Sequence, residues 1–161
     1  MDEQPEEVGR SDAERRFLRK LAVSALAFDV WTFFPQLVVT LDVTDAERNV
    51  VLRTLRVDYD GRSLLGGTDP TFQVTESEPD RGGPEFFEIL EQLTPEHFAD
   101  RAVSWFATEA ARPIDRLEWD EAGHVSVRWV FADSGRGLVE SSQIPGREPD
   151  RRIRLHSGSE C

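Results

Sequence analysis

The sequence has very little cysteine and very little lysine, and each shortage narrows what the protein can be. Cys161 is the only cysteine among 161 residues, so the chain cannot form an internal disulfide or a zinc site built from several cysteines. This usage fits a reducing cytosol, and we expect a cytoplasmic protein. Lys20 is the only lysine, and such a predominance of arginine suggests a GC-rich bacterial genome.

Long apolar runs are also missing. The run at Leu21–Phe28 is interrupted by Asp29 before it reaches the roughly 20 residues that a transmembrane helix needs. An alternative interpretation of residues 15–27 is an export signal, because Arg15-Arg16 precedes an apolar stretch that contains small residues. The acidic residues ahead of it and its helical periodicity favour a folded helix, and we expect no membrane partner.

Basic charge is scarce overall. The chain has 31 acidic and 19 basic residues and a net charge of −12. Such a surface repels the backbones of DNA and RNA, so we expect no nucleic-acid partner. It favours a basic protein partner, although the same charge also serves simply to keep a chain soluble.

The apolar residues that are present alternate in the manner of strands. Leu37, Val39 and Leu41 recur at every second position, a later stretch repeats the pattern, and Asp60-Gly61 supplies a turn between strands. Helices are predicted at residues 12–28, 85–93 and 94–112, the last two forming a central pair. The predicted class is therefore α+β: a single, mostly antiparallel sheet of about five or six strands, with the N-terminal helix and the central helix pair packed on one face.

Three segments are expected along the chain. Residues 1–10 are predicted to be a disordered acidic lead, residues 11–142 a single α+β domain, and residues 143–161 a disordered arginine-rich tail. The arginines of the tail could contact acidic residues of their own domain, contact a partner, or make no contact.

A hairpin is predicted near residues 117–131. A three-residue loop, Glu121-Ala122-Gly123, pairs Trp119 with Val125 and gives Gly123 a left-handed conformation.

The same register places charged residues together. Arg116 lies opposite Arg128 on the solvent face, with Glu118 diagonal to both. These three are candidate partner-surface residues, since such a patch suits an anion or an acidic partner. An exposed charged ladder that deters edge pairing is the alternative.

Four residues are candidates for a ligand pocket: Trp31, Phe34, Trp105 and Asp115. For the aromatic residues the alternative is ordinary core packing. Parity places Asp115 on the core face, where an unpaired carboxylate is costly. If the strand begins one residue later, Asp115 is instead exposed at its edge.

Signatures of catalysis are missing. The histidines lack the spacing of metal ligands, and no serine or cysteine has the setting of a nucleophile. No phosphate-binding or dinucleotide-binding loop is present. We therefore predict no catalytic residue, no metal and no cofactor.

Three functions remain. The first is a non-catalytic, acidic protein-binding module of the immunity, inhibitor or adaptor type, a monomer or a homodimer. The second is a secretion or assembly chaperone, because element order and acidity over residues 12–142 broadly resemble the small acidic chaperones of bacterial secretion systems. That resemblance transfers no residue. The third is a small-molecule-binding domain or an enzyme with an undetected site.

Overall fold

The structure, a computed structural model, describes residues 9–33, 36–69, 78–139 and 144–155. These residues form two helices, α1 (Asp12–Leu21) and α2 (Pro95–Ala110). They also form eight strands: β1 (Asp29–Phe33), β2 (Gln36–Asp45), β3 (Val50–Tyr59), β4 (Leu64–Thr68), β5 (Phe87–Ile89), β6 (Ile114–Glu121), β7 (His124–Phe131) and β8 (Arg151–Arg154).

The strands make two sheets, so the α+β class is confirmed and the single sheet is wrong. One sheet has the order β1-β2-β3-β4-β5 and the other has the order β7-β6-β8. Strand β6 pairs antiparallel with both of its neighbours. Both edges of β6 are therefore occupied within the three-stranded sheet, where β6 is the central strand.

Contacts group the chain into two compact units. The first comprises Met1–Leu41 and Leu55–Ala107, and the second comprises Asp42–Thr54 and Thr108–Cys161. The structure does not describe residues 1–8 of the predicted acidic lead, or residues 143 and 156–161 of the predicted disordered tail. Within that tail, Arg151–Arg154 form β8, which differs from the prediction because their side chains and backbone find partners on β6.

The core of the first unit lies between the five-stranded sheet and both helices. Tyr59 of β3 stacks on Phe17 of α1, with 4.2 Å between ring centroids, and meets Phe98 of α2 at 5.5 Å. All three side chains are buried. The two helices therefore cover the same face of the sheet. The Tyr59 hydroxyl is buried and has no hydrogen-bond partner among the described residues, and burial raises its pKa to about 12.

Helix α1 begins at the predicted cap but ends early. The Glu14 N–H donates to Ser11 Oγ at 3.1 Å, as a capping serine does. The helix ends at Leu21 rather than at residue 28, because Ser24 Oγ accepts the Leu26 N–H and supplies a turn instead.

The predicted helix at 85–93 is wrong. Phe87–Ile89 form β5, which pairs with β4 and places Phe87 opposite Gly66. A Cβ atom at Gly66 would lie 1.9 Å from the Phe87 ring, so the glycine leaves the space that this ring fills. Phe87 then packs against Trp105 of α2 at 5.1 Å. Packing against a residue distant in sequence thus overrides the local helical pattern.

The β6–β7 register differs from the predicted one by one residue. Glu121 pairs with His124, so the loop has two residues, and Trp119 pairs with Ser126 rather than with Val125. Gly123 does adopt a left-handed conformation, with φ +88°. The shift moves Arg116 opposite Trp129 instead of Arg128.

Candidate functional site

Strand β6 carries a charged row in the second unit. Six consecutive residues, Ile114–Trp119, are buried, so both faces of this strand are covered. Arg116 is buried and donates through Nη1 to Asp45 Oδ2 at 2.8 Å and through Nε to Glu118 Oε1 at 3.1 Å. Its Nη2 also reaches Glu47 Oε2 at 2.9 Å. The prediction that Arg116 and Glu118 lie on a solvent face is wrong, because the β2–β3 turn provides carboxylates for this arginine.

Asp45 is the centre of this network. It accepts from Arg116, from Trp129 Nε1 at 2.8 Å and from the Arg48 N–H at 3.3 Å. Burial alone would raise the pKa of Asp45, but the bonds from Arg116 and Trp129 outweigh it and hold the pKa below its ordinary value. This carboxylate therefore stays ionised at neutral pH.

The buried Glu118 carboxylate is likewise surrounded by donors that lower its pKa. Arg48 Nη2 donates to Glu118 Oε1 at 2.8 Å, and Arg151 Nε donates to Oε2 at 3.3 Å. Burial would raise the pKa of Glu118, but bonds from Arg48, Arg151 and Arg116 lower it overall.

Asp115 lies on the other face of β6. It is buried within a strand that begins at Ile114, so the exposed-edge alternative is wrong. It accepts from Arg154 Nε at 2.5 Å and from Arg152 Nη1 at 3.0 Å. The bond from Arg154 lowers the pKa of Asp115 despite burial.

The arginines of β8 thus pair with acid on their own chain. Arg151 donates to both oxygens of Asp120 at 2.8 Å, in addition to its bond to Glu118. Just ahead of β8, the Asp150 N–H donates to the Glu118 carbonyl at 2.8 Å, and the Trp119 indole donates to the Arg147 carbonyl at 2.8 Å. Backbone and side chains together place the tail along β6.

The sequence pattern indicates Asp115, Arg116 and Glu118 as site residues but does not indicate their partners. Asp45 at the end of β2, and Glu47 and Arg48 in the turn that follows, are about 70 positions away, and the tail arginines stand in a stretch rich in proline and glycine. The one available signal was opposite charge between the acidic chain and its basic tail. Arg128 pairs across the sheet with Leu117 and is partly buried, so the structure does not place it opposite Arg116.

A different surface is formed by the edge strand β1 in the first unit. This strand pairs with β2 and lies at the end of the sheet order, so its outer edge faces no other strand in the described part of the chain. Val30 is 39% exposed and Trp31 is 43% exposed. The Trp31 indole N–H donates to Thr40 Oγ1 at 3.1 Å, which holds the ring in place.

Trp31 and Trp105, the two described pocket candidates of the first unit, lie on opposite faces of the five-stranded sheet. Trp31 pairs with Val38 of β2, and Asp42 lies on the same face of that strand. The Asp42 carboxylate accepts from Thr54 Oγ1 of β3, so this is also the face of β3 that carries Thr54. Strand alternation puts that face opposite the one that carries Tyr59 and the helices.

The other pocket candidates lie elsewhere. Trp105 belongs to α2 and contacts Phe87 and Phe106 on the helix-covered side. Asp115 belongs to the second unit, and Phe34 lies outside the described residues.

Comparison with known proteins identifies no relative. No family model matches the chain, and neither the curated proteins nor the solved structures provide a significant match. Within the described ranges, no three or more histidine, cysteine or acidic side chains are grouped to hold a metal ion. The helices in those ranges are too short or too polar to cross a membrane.

Proposed function

We propose that this protein is a non-catalytic binding module that receives an extended segment of a basic partner protein along the outer edge of β1, which no strand of the described residues covers. The observation that carries the proposal is the exposure of this edge together with the Trp31 side chain beside it. A partner strand would bond to the outer N–H and C=O groups of β1, which is the usual mode of strand addition.

The composition of β1 supports this function. Natural edge strands are commonly protected by lysine, proline or a bulge, whereas Val30, Trp31 and Thr32 form an uncharged and largely exposed row. Successive side chains point to opposite faces, so Val30 and Trp31 offer one apolar contact on each face. Tryptophan is also among the residues that most often dominate binding energy at interfaces.

The charge of the chain defines the kind of partner. With a net charge of −12, the protein attracts a basic segment and repels an acidic one. Asp29 at the start of β1 adds a carboxylate at the edge itself. We therefore infer that the bound segment alternates apolar residues and carries arginine or lysine.

Peptide display provides the test. Random peptides about 12 residues long are selected against the immobilised protein, and a selected peptide is then titrated against variants. We expect Trp31→Lys to raise the Kd by about tenfold or more, because it removes an anchor and places a charge on the edge.

Val125→Lys is the matched control for Val30→Lys. Val125 is 40% exposed on β7, so the two variants have the same charge and nearly the same starting exposure. Val30→Lys should weaken binding and Val125→Lys should leave it within about twofold. Equal weakening by both variants, or a selection that yields no alternating basic peptide, would reject the proposal.

A further inference from the structure

Strand β6 of the second unit carries a second candidate interaction surface. Its edge is occupied by β8 of the same chain, in a register that pairs Asp115 with Arg154 and Glu118 with Arg151. The described part of the tail therefore shows which chemistry this edge recognises.

Burial is unequal across this contact. The side chains of Asp115 and Glu118 are 4% and 5% exposed, whereas those of Arg151, Arg152 and Arg154 are 45%, 56% and 57% exposed. The exposed tail arginines thus lie over carboxylates that are buried while β8 is in place. Glu118 also accepts from Arg48 and Arg116, which do not belong to the tail.

The tail is attached by few apolar contacts. Strand β8 has four residues, of which Ile153 alone is partly buried, and Leu155 adds a partly buried contact to the core cluster around Trp129. Most of the remaining attachment comes from backbone bonds and exposed ion pairs, which salt weakens. An extended segment with the same charges can make the same bonds.

We propose that the edge of β6 binds an arginine-rich extended segment of a partner protein, and that β8 occupies this edge in cis as a replaceable pseudo-ligand. Strand pairing supplies the backbone bonds. Asp115 receives two arginines on one face, while Glu118 and Asp120 receive a third on the other face. The fitting pattern is therefore Arg-Arg-apolar-Arg, as in Arg151–Arg154.

A tail-released variant of the full chain tests the proposal. The changes Arg151→Ser, Arg152→Ser and Arg154→Ser weaken β8, and a fluorescent peptide with the sequence of residues 144–155 serves as the probe. We expect it to bind this variant about tenfold or more tightly than the wild type, because in the wild type the tethered tail competes at a high effective concentration. Adding Asp115→Asn should reverse this gain.

The controls separate edge recognition from general charge attraction. Arg15→Ser, Arg19→Ser and Arg62→Ser change the net charge equally at exposed positions outside the second unit, and this variant should bind the probe like the wild type. A scrambled peptide of the same composition should not bind the tail-released variant. Binding of the scrambled peptide, or none of the native peptide, overturns the proposal.

A second measurement covers the case in which the tail-released variant does not fold. Excess unlabelled peptide is added to isotope-labelled wild-type protein, and amide exchange is followed by NMR. Displacement of β8 should accelerate exchange at Ile153 and Leu155 and leave β7 unchanged, whereas unchanged exchange at the tail contradicts the proposal. Concentration-dependent dimerisation through exchanged tails would assign the edge to a second copy and would also overturn it.

Discussion

Arg56 in the first unit and Arg116 in the second are both fully buried, yet the pKa values of their partners Asp58 and Asp45 are shifted in opposite directions. Arg56 donates to Asp58 at 2.7 and 3.1 Å and to Asp69 at 3.3 Å. Burial raises the pKa of Asp58 despite its bonds from Arg56, and the nearby charges of Glu78 and Asp69 raise it further. Asp45, the partner of Arg116, has a lowered pKa instead.

The number and origin of the donors explain this difference. Asp45 accepts from a guanidinium, an indole and a backbone N–H on three separate segments. Among the described residues, the side-chain bonds to Asp58 come from Arg56 alone, which also donates to a second buried carboxylate, Asp69. A buried carboxylate thus stays charged when several independent donors replace the water that it loses.

Replacing Arg116 at the centre of the second unit's network should cause the greatest loss of stability among the variants considered. Arg116→Met leaves Asp45 and Glu118 buried without their shared cation, and we expect a loss of about 3–5 kcal/mol in the free energy of unfolding. Urea denaturation measures this loss. Arg48→Met removes the same charge from the 37%-exposed rim of the network and should cost about 1 kcal/mol or less. Equal losses for the two variants would show that the burial of Arg116 has no energetic role.

The opposite pKa shifts of Asp45 and Asp58 should appear in the pH dependence of two variants. At pH 7 we expect Asp45→Asn to cost about 3 kcal/mol. Because the folded pKa of Asp45 is lowered, its contribution is complete above the unfolded value of about 3.9 and is lost as the pH falls through the folded value. The cost of Asp45→Asn should therefore shrink below about pH 4.

Asp58→Asn should show the opposite slope. The folded pKa of Asp58 is raised, so folding disfavours its ionised form, and the wild type gains stability as Asp58 becomes protonated on acidification. The cost of Asp58→Asn should thus grow between pH 7 and about pH 4. Urea denaturation at several pH values checks both slopes, and slopes of the same sign would contradict the assigned pKa directions.

Two indole N–H donors of the second unit, those of Trp129 and Trp119, should contribute less to stability than these charged groups. Trp129 donates to the Asp45 carboxylate and Trp119 to the Arg147 carbonyl, both at 2.8 Å, and both side chains are buried. We expect Trp129→Phe to cost about 1.5–3 kcal/mol and Trp119→Phe about 0.5–1.5 kcal/mol, because bonds to charged acceptors are stronger. Thermal or urea denaturation measures both losses, and a larger loss for Trp119→Phe would reverse this ranking.

Local signals in the sequence predicted the elements whose cause is local. The Asp60-Gly61 turn forms, with Asp60 Oδ1 accepting the N–H groups of Arg62 and Ser63 at 2.8 and 2.7 Å. Helix α2 begins where Thr94-Pro95 predicts, with Thr94 Oγ1 accepting the His97 N–H.

The candidate site could not be predicted in the same way, because its causes are distant in sequence. Alternation along β6 indicates a core face at Leu117 and Trp119 and assigns Arg116 to solvent. The structure buries Arg116 because Asp45 approaches from the end of β2, 71 positions earlier. The β8 segment has no strand pattern of its own and is positioned by the acidic row that it covers.

The buried hydroxyl of Tyr59 gives this chain a built-in optical marker. Tyr59 is the only tyrosine, and a raised pKa of about 12 keeps its ring in the phenol form well into alkaline solution. An opened molecule ionises near the ordinary tyrosine pKa of about 10, so between about pH 10 and 11 the near-ultraviolet band of tyrosinate arises mainly from molecules whose aromatic stack has opened. Absorbance in that pH range thus reports on the integrity of the helix-covered core without any label.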